Sequence, residues 1–267
     1  MSPAPKLPVD AVIANINAAR YHNHRKPEHS DILSDGIHAD LLKMCPTFRA
    51  DHEQEIVRKW LNVKTPGDRQ RNIDLFVGES DPNAVTKPQL NLVRFCLENK
   101  SVITAHRNTP NRFDDLTKVM GSLHAVRSQA IIVATVLVGI CGRVLNVADK
   151  IGPMHLGKEA KFEKKVVPRL SSGDLNLFRD FPYAVSVNTE KDIERTLKKL
   201  RTLPVRQAAM THEKAFDYVW LVPVRIDNVN PAEVARVNPY GIDVDKDYSE
   251  MLQTICAAYR ARWHPRA

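Results

Sequence analysis

The sequence predicts an α/β fold in which helices cover a mixed β-sheet. Three observations support this prediction: a β-branched run over Ala130 to Ile140, two shorter strand patterns before it, and helical patterns on either side of those strands. The order helix, strand, strand, helix, strand is typical of an α/β sandwich around a mixed sheet. A chain of 267 residues is long enough for one large domain with a substantial core.

The N-terminal region is predicted to be helical. Apolar spacing favours helices through Ala11 to Arg20 and from Ser34 to Cys45, where Pro46 stops continuation. Residues 1–30 are interpreted as a basic N-terminal arm. Residues 31–267 are interpreted as a single domain, with its catalytic core at about 48–145.

A third helix is predicted from Asp51 to Leu61, because its apolar residues form one stripe at helical spacing. Glu53 falls near the middle of that stripe, whereas Glu55 points to solvent. Glu53 is therefore expected to be an acid on the buried face. A carboxylate near a helix N-terminus is also favoured by the helix dipole alone, without any catalytic role.

Two predicted strands carry the residues with the clearest chemistry. The first is Ile73 to Val77, in which Asp74 is the one charged interruption. The second spans Val93 to Arg107, where Glu98 and Lys100 are two residues apart and therefore emerge from the same face. Pairing of these strands would bring both carboxylates to Lys100. The alternative interpretation is a buried ion pair that only satisfies itself.

The remaining elements complete the predicted sheet and its cover. Thr109-Pro110 is typical of a helix start and precedes an amphipathic helix. Strands are predicted at Tyr183 to Val187 and Val219 to Ile226, the latter at an edge because it contains Pro223. Helices are predicted from Glu190 to Leu203 and from Val244 to Trp263.

Asp74 followed by Glu98-Asn99-Lys100 resembles the D…(D/E)-x-K signature of the PD-(D/E)XK nuclease superfamily. The stretches LENKSVITAHRN and RFDDL are similar to segments of type II restriction endonucleases. The resemblance implies a restriction-endonuclease-like mixed β-sheet core flanked by helices, with N-terminal helices and a C-terminal α/β extension. The chain departs from the family in having no Pro before Asp74 and no clear preceding strand, so Glu79 and Asp81 remain weaker substitutes for Asp74.

The resemblance also implies roles for individual residues. Asp74 and Glu98 would bind Mg²⁺, with the backbone carbonyl of Asn99 as a further ligand. Lys100 would position or help deprotonate the attacking water. Glu53 would correspond to the extra acid that many restriction enzymes carry on a helix before the Asp strand.

The charge balance suits a polyanionic partner. The formal net charge is +8, which favours phosphate contacts, although many basic proteins bind no nucleic acid. Arg107, Arg112, Lys198 and Lys199 are the predicted DNA-binding residues. Double-stranded DNA is the expected substrate, and a homodimer is expected because cutting both strands needs two sites.

Other patterns exclude several classes of protein. The sequence contains no G-x-x-x-x-G-K-[ST], G-x-S-x-G or H-E-x-x-H motif, so no nucleotide cofactor, serine hydrolase or zinc protease is predicted. The longest apolar run is too short to span a bilayer, and no signal core is seen in Met1 to Asp10. The four cysteines lack metal-site spacing and are expected to be core thiols of a cytoplasmic protein.

Three functions remain as hypotheses. The first is a Mg²⁺-dependent DNA endonuclease, a type II restriction enzyme or a related defence nuclease. The second is a non-catalytic nucleic-acid-binding protein on the same fold. The third is a metal-dependent hydrolase with a small-molecule substrate.

Overall fold

The computed structural model describes residues 7–18, 26–65, 70–81, 87–103, 106–147, 164, 168–169, 183–209 and 214–265. The helices in these ranges are α1 (Pro8–Ala18), α2 (Pro27–Met44), α3 (Pro46–Glu53), α4 (Thr109–Val126), α5 (Glu190–Leu200) and α6 (Val244–Trp263). The strands are β1 (Val57–Lys64), β2 (Asn72–Glu79), β3 (Val93–Val102), β4 (Ile131–Gly139), β5 (Arg143–Val147), β6 (Tyr183–Val187), β7 (Tyr218–Arg225) and β8 (Glu233–Val234).

A six-stranded mixed sheet in the order β1-β2-β3-β4-β7-β8 forms the centre of the fold. Strand β2 runs antiparallel to both of its neighbours, β1 and β3, whereas β4 runs parallel to both β3 and β7. Helix α4 makes the crossover from β3 to β4, as a parallel pair requires. A separate two-stranded sheet joins β5 and β6. The predicted α/β class with a mixed sheet and flanking helices is confirmed.

The central strand β4 is buried along its whole length. Its β-branched residues suit a position between two neighbours with both faces covered. Strand β7 lies beside it and pairs on its other side only with the two-residue β8. The predicted edge position of this strand is therefore wrong, since β8 forms the edge of the sheet. Pro223 is tolerated inside because its carbonyl oxygen accepts a hydrogen bond from the N–H of Ala235 at 2.9 Å and no N–H of its own is needed there.

Side chains of β3 alternate between two environments. Phe95 packs edge-on against Phe48 of α3, which in turn packs against Tyr259 of α6. Phe95 therefore faces α3 and α6, and Asn99, on the same side of β3, hydrogen-bonds to α2. Because successive side chains alternate, Glu98 and Lys100 project from the opposite face.

The predicted helix from Asp51 to Leu61 is wrong. Helix α3 ends at Glu53, Glu55 adopts a positive φ of 54°, and the chain turns into β1. Pairing with β2 determines this outcome, since Trp60 lies opposite Phe76 and packs against its ring. The sequence pattern revealed no strand before the one that carries Asp74, and the structure shows that this strand is β1. Glu53 is exposed rather than buried.

Part of the predicted N-terminal arm is folded onto the domain. Val9 and Val12 of α1 join the hydrophobic core. Asn17 exchanges two hydrogen bonds with the backbone of Ala232, at 2.8 and 2.7 Å, which fixes α1 beside β8. Residues 1–6 and 19–25 of the predicted arm lie outside the described residues.

Two of the four predicted core thiols are joined. Cys45 lies between α2 and α3, Cys256 lies in α6, and the two form a disulfide with their Cα atoms 5.4 Å apart. The prediction of a free thiol is therefore wrong for both residues. The packing of the helices brings together two cysteines that are 211 positions apart in the sequence, and no local sequence pattern indicates such a pair. Cys96 and Cys141 are free.

None of the helices in the described ranges has the length and apolar content that a bilayer crossing requires.

Candidate active site

Strands β2 and β3 bring Asp74 and Glu98 together. The antiparallel pairing ends with Leu75 opposite Leu97, and Asp74 and Glu98 are the next residues of the two strands. The two carboxyl groups are close enough for the charge of Asp74 to raise the pKa of Glu98. One oxygen of Asp74, Oδ2, also accepts a hydrogen bond from the backbone N–H of Asn99 at 2.6 Å. This bond fixes the carboxylate against β3.

Lys100 completes the group. Its Nζ donates a hydrogen bond to Oε1 of Glu98, and lies 3.3 Å from the backbone carbonyl oxygen of Asn99. The Glu98 side chain is 2% exposed and the Lys100 side chain 19% exposed. Asp74, Glu98 and Lys100, which the sequence placed on two strands, therefore meet at one point.

The two carboxyl groups are held in an environment that disfavours their charge. Burial raises the pKa of Glu98 from 4.5 to about 7; Lys100 opposes this shift and the charge of Asp74 adds to it. Burial also raises the pKa of Asp74, although Lys100 and the Asn99 N–H lower it. Two acids beside one ammonium leave one negative charge without compensation when both are ionised.

One atom of this group is left without a partner. The second oxygen of Glu98, Oε2, is buried and accepts no hydrogen bond from the described residues. A buried polar atom of this kind ordinarily costs about 1–3 kcal/mol. A proton or a cation would remove that cost.

Helix α2 supports the site from the other face of β3. The side-chain amide of Asn99 donates to Oγ of Ser30 at 3.0 Å and to Oγ of Ser34 at 2.9 Å. Ser30 also hydrogen-bonds to the Asp74 carboxylate. Sequence reasoning missed both serines, because they lie 69 and 65 residues from Asn99 and no local pattern links them.

The donors present fit a hard divalent cation. Carboxylate oxygens of Asp74 and Glu98 and the carbonyl oxygen of Asn99 are the ligand types that Mg²⁺ prefers. Within the described ranges, no three His, Cys, Asp or Glu side chains could hold one metal ion. A cation here would thus be held by two side-chain carboxylates and would complete its coordination with carbonyl, water or substrate oxygens.

The structure does not bring Glu53 to this group. Residues just after α3 meet the far end of β2, where Val57 pairs with Glu79 and the N–H of Ser80 donates to the carbonyl of Ile56. Asp74 lies near the other end of the same strand. The expected extra acid is therefore wrong at Glu53 on geometric grounds.

The two substitutes for Asp74 are engaged elsewhere. Glu79 forms ion pairs with Arg94 at 3.0 Å and Arg127 at 2.7 Å. Asp81 accepts a hydrogen bond from the side chain of Gln89. Asp74 is the acid of this set that faces Glu98.

The predicted DNA-binding residues separate into two groups. Arg107 and Lys199 line one cleft, together with Arg195, which the sequence prediction did not include. Lys198 is exposed on α5 but is not among the residues lining that cleft. Arg112 lies 3.4 Å from Asp115 in an ion pair within α4.

Comparison with protein-family models, with curated proteins and with solved structures gives no match for this chain.

Proposed function

We propose that this chain is a Mg²⁺-dependent DNA endonuclease that hydrolyses phosphodiester bonds. The observation that carries the proposal is the meeting of Asp74, Glu98 and Lys100, with Oε2 of Glu98 buried and without a partner among the described residues. A purely structural ion pair would be expected to use both oxygens of a carboxylate that is so deeply buried.

The arrangement of elements adds a second argument. Three antiparallel strands are followed by a crossover helix and a strand parallel to the third. This is the order expected for a restriction-endonuclease-like core, and the acids stand on its second and third strands. The fold supports the proposal by analogy, whereas the site carries the chemistry.

In the proposed reaction, water adds to phosphorus and one ester P–O bond breaks. When bound, Mg²⁺ would supply positive charge that stabilises the negative charge growing in the transition state and would make water more acidic. Asp74 and Glu98 would hold it, with the Asn99 carbonyl as a third donor. The departing oxygen ends with a proton taken from solvent.

Lys100 has a separate role in this proposal. Its ammonium group hydrogen-bonds to Glu98 and lies beside the Asn99 carbonyl. If Glu98 held a cation, that bond would be weaker, and the ammonium group of Lys100 would have donors for a water or a phosphate oxygen. Lys100 would then orient the nucleophile and neutralise charge at the phosphate.

The net charge of +8 is consistent with double-stranded DNA as the substrate. We further propose a homodimer, since one such site per chain cuts one strand, and a cytoplasmic restriction or related defence nuclease as the biological setting. The decisive experiment incubates the purified chain with supercoiled plasmid in Mg²⁺ and in EDTA. Nicked and linear products in Mg²⁺ alone support the proposal, and intact plasmid in both conditions overturns it.

A second function is favoured by one observation. The Glu98–Lys100 ion pair partly neutralises the site by itself, as expected for a nucleic-acid-binding protein that keeps the fold without catalysis. Salt-sensitive DNA binding with intact plasmid in Mg²⁺ would identify that function instead.

A further inference from the structure

A cleft of about 660 Å³ lies beside the start of α4. Its walls are the short turn His106–Asn108, the start of α4, the β5–β6 sheet and one side of α5. The volume is in the range of sites that hold small ligands. None of the proposed catalytic residues lines it.

The cleft has an excess of positive charge. Arg107, Arg195 and Lys199 line it, against one carboxylate, Asp192. That carboxylate already accepts hydrogen bonds from the Thr189 backbone N–H at 2.9 Å and its hydroxyl at 2.6 Å, as part of the capping box of α5.

The three cations are weakly engaged. Arg107 is exposed and forms no ion pair with another described residue. Arg195 lies 3.6 Å from Asp192 with its own side chain 78% exposed. Lys199 places its Nζ 4.0 Å from the centre of the Phe113 ring. All three therefore have donors available for an anion.

The floor of the cleft is fixed by hydrogen bonds. One nitrogen of His106 lies 2.9 Å from Oγ1 of Thr196 and the other lies 2.9 Å from the carbonyl oxygen of Gly139. Thr109 bonds to the same Thr196 hydroxyl at 2.7 Å. These contacts join the end of β4, the start of α4 and α5. The backbone segments that carry Arg107, Arg195 and Lys199 are therefore held in place before any ligand binds.

The rest of the lining suits the uncharged part of a nucleotide. Asn146, Ser186 and Asn188 offer amide and hydroxyl groups, and Val185 and Val187 offer apolar surface. Asn146 is held by a 2.6 Å bond to Ser186, and Asn188 by a 3.2 Å bond to the Cys141 carbonyl. A sugar and a base need such mixed surface next to the phosphate.

We propose that this cleft binds one nucleotide of a DNA strand, with its phosphate held by Arg107, Arg195 and Lys199. His106 follows Lys100 by six residues, so the cleft and the catalytic group lie at most about 20 Å apart along the chain. One strand can span that distance with a few nucleotides. That the strand is the substrate of the catalytic group rests on the proposed function; the binding itself does not.

The test measures binding of a short, labelled, single-stranded DNA by fluorescence anisotropy in EDTA, where cleavage cannot occur. Lys199→Ala and Arg195→Ala are each expected to weaken binding about tenfold, the loss typical of a charge-assisted hydrogen bond. The slope of log affinity against log salt should become shallower by about 0.7 for each lost contact. Lys191→Ala is the matched control, because it removes the same charge from an exposed position of the same helix, α5, outside the cleft.

An effect of less than about twofold for Lys191→Ala, with losses of about tenfold for the cleft variants, supports the inference. Equal losses in Lys191→Ala and Lys199→Ala overturn it, because they indicate a diffuse basic surface. Unchanged binding in both cleft variants also overturns it. Lys199→Arg should restore affinity, which separates loss of a contact from loss of folding.

The outcome is independent of the plasmid experiment. Intact plasmid in Mg²⁺ together with cleft-dependent binding removes the nuclease proposal and keeps the nucleotide site. Cleavage that is indifferent to Arg195→Ala and Lys199→Ala, with unchanged affinity, removes the site and keeps the nuclease.

Discussion

Lys100 donates a hydrogen bond to one oxygen of Glu98 and leaves the other, Oε2, buried without a partner among the described residues. Asp74 adds a second carboxyl group beside them, close enough to interact electrostatically with both Glu98 and Lys100. One ammonium cannot neutralise two carboxylates. The group therefore has room for either a proton or a cation, and its behaviour should depend on which of the two is bound.

Removing any member of the group should abolish plasmid cleavage. Asp74→Asn, Glu98→Gln and Lys100→Met each take away a proposed ligand or donor, and a loss of at least about a hundredfold is expected for such a change. The cleavage rate in Mg²⁺ is the measurement. Glu53→Gln is the control, because Glu53 is exposed and lies at the other end of β2 from Asp74. Full activity in Asp74→Asn would refute the assignment.

Binding of Mg²⁺ should strengthen as pH rises towards neutrality. The pKa of Glu98 is raised to about 7 by burial, so below that pH the ion must displace a proton. Affinity is expected to rise about tenfold per pH unit below pH 7 and to level off above it. Calorimetric titration with Mg²⁺ across this range measures it. Equal affinity on both sides of neutrality contradicts Glu98 as a ligand, and Glu98→Gln should lose the dependence.

The same raised pKa predicts that the metal-free protein loses stability with rising pH. Between the ordinary value of 4.5 and about 7, the folded state keeps the Glu98 proton and the unfolded state releases it. The stabilisation present below pH 4.5 is therefore lost as pH approaches 7, by about 3 kcal/mol at most. Urea unfolding in EDTA at acidic and neutral pH should show this loss in the wild type. Glu98→Gln has no proton to release at this position, so its free energy of unfolding should rise relative to that of the wild type as pH increases over this interval. A difference between the two proteins that does not change with pH would contradict the prediction.

The periodicity of apolar residues was sufficient to predict the helices and strands whose structure is determined by their local sequence. The buried run of β4, the amphipathic α4 and the terminal α6 are present as predicted. Alternation along β3 also placed Glu98 and Lys100 on one face, because the period of a strand is fixed by its backbone.

Periodicity failed where a distant partner decides the structure. The apolar residues of β1 fit a helical stripe, and pairing with β2 overrides that pattern. Because of this wrong helix prediction, Glu53 was assigned to a buried face and included in the predicted site. Asp51, not Glu53, is the buried acid of α3, and it accepts hydrogen bonds from Arg94 at 2.6 Å and Tyr259 at 2.7 Å. Those partners lie 43 and 208 residues away, beyond the reach of any local pattern.

Reduction of the disulfide should destabilise the fold. Cys45 and Cys256 close a loop of 211 residues, for which chain entropy gives a stabilisation of up to about 5 kcal/mol. The melting temperature should therefore fall on addition of dithiothreitol. A variant carrying Cys45→Ala and Cys256→Ala should melt at the reduced temperature with or without reductant. An identical melting temperature for oxidised and reduced wild type would contradict a structural role for this bond.

A buried charge cluster at the start of β7 should be more critical than any surface ion pair. Asp217 precedes β7 with its side chain 2% exposed, and its carboxylate pairs with Arg206 at 3.3 Å and with Arg262 of α6. It also accepts the backbone N–H of Ile132 at 3.0 Å, at the start of β4. Asp217 thus joins α6 to the neighbouring parallel strands β4 and β7.

Asp217→Ala would remove the carboxylate and leave two buried guanidinium groups without it. Breaking a buried pair in this way typically costs about 3–5 kcal/mol, which urea unfolding would measure. Asp245→Ala is the matched control, because Asp245 pairs with Arg236 at 2.9 Å with its side chain 52% exposed, and such surface pairs contribute about 1 kcal/mol or less. Similar decreases in the free energy of unfolding of the two variants would show that burial does not determine how much Asp217 contributes to stability.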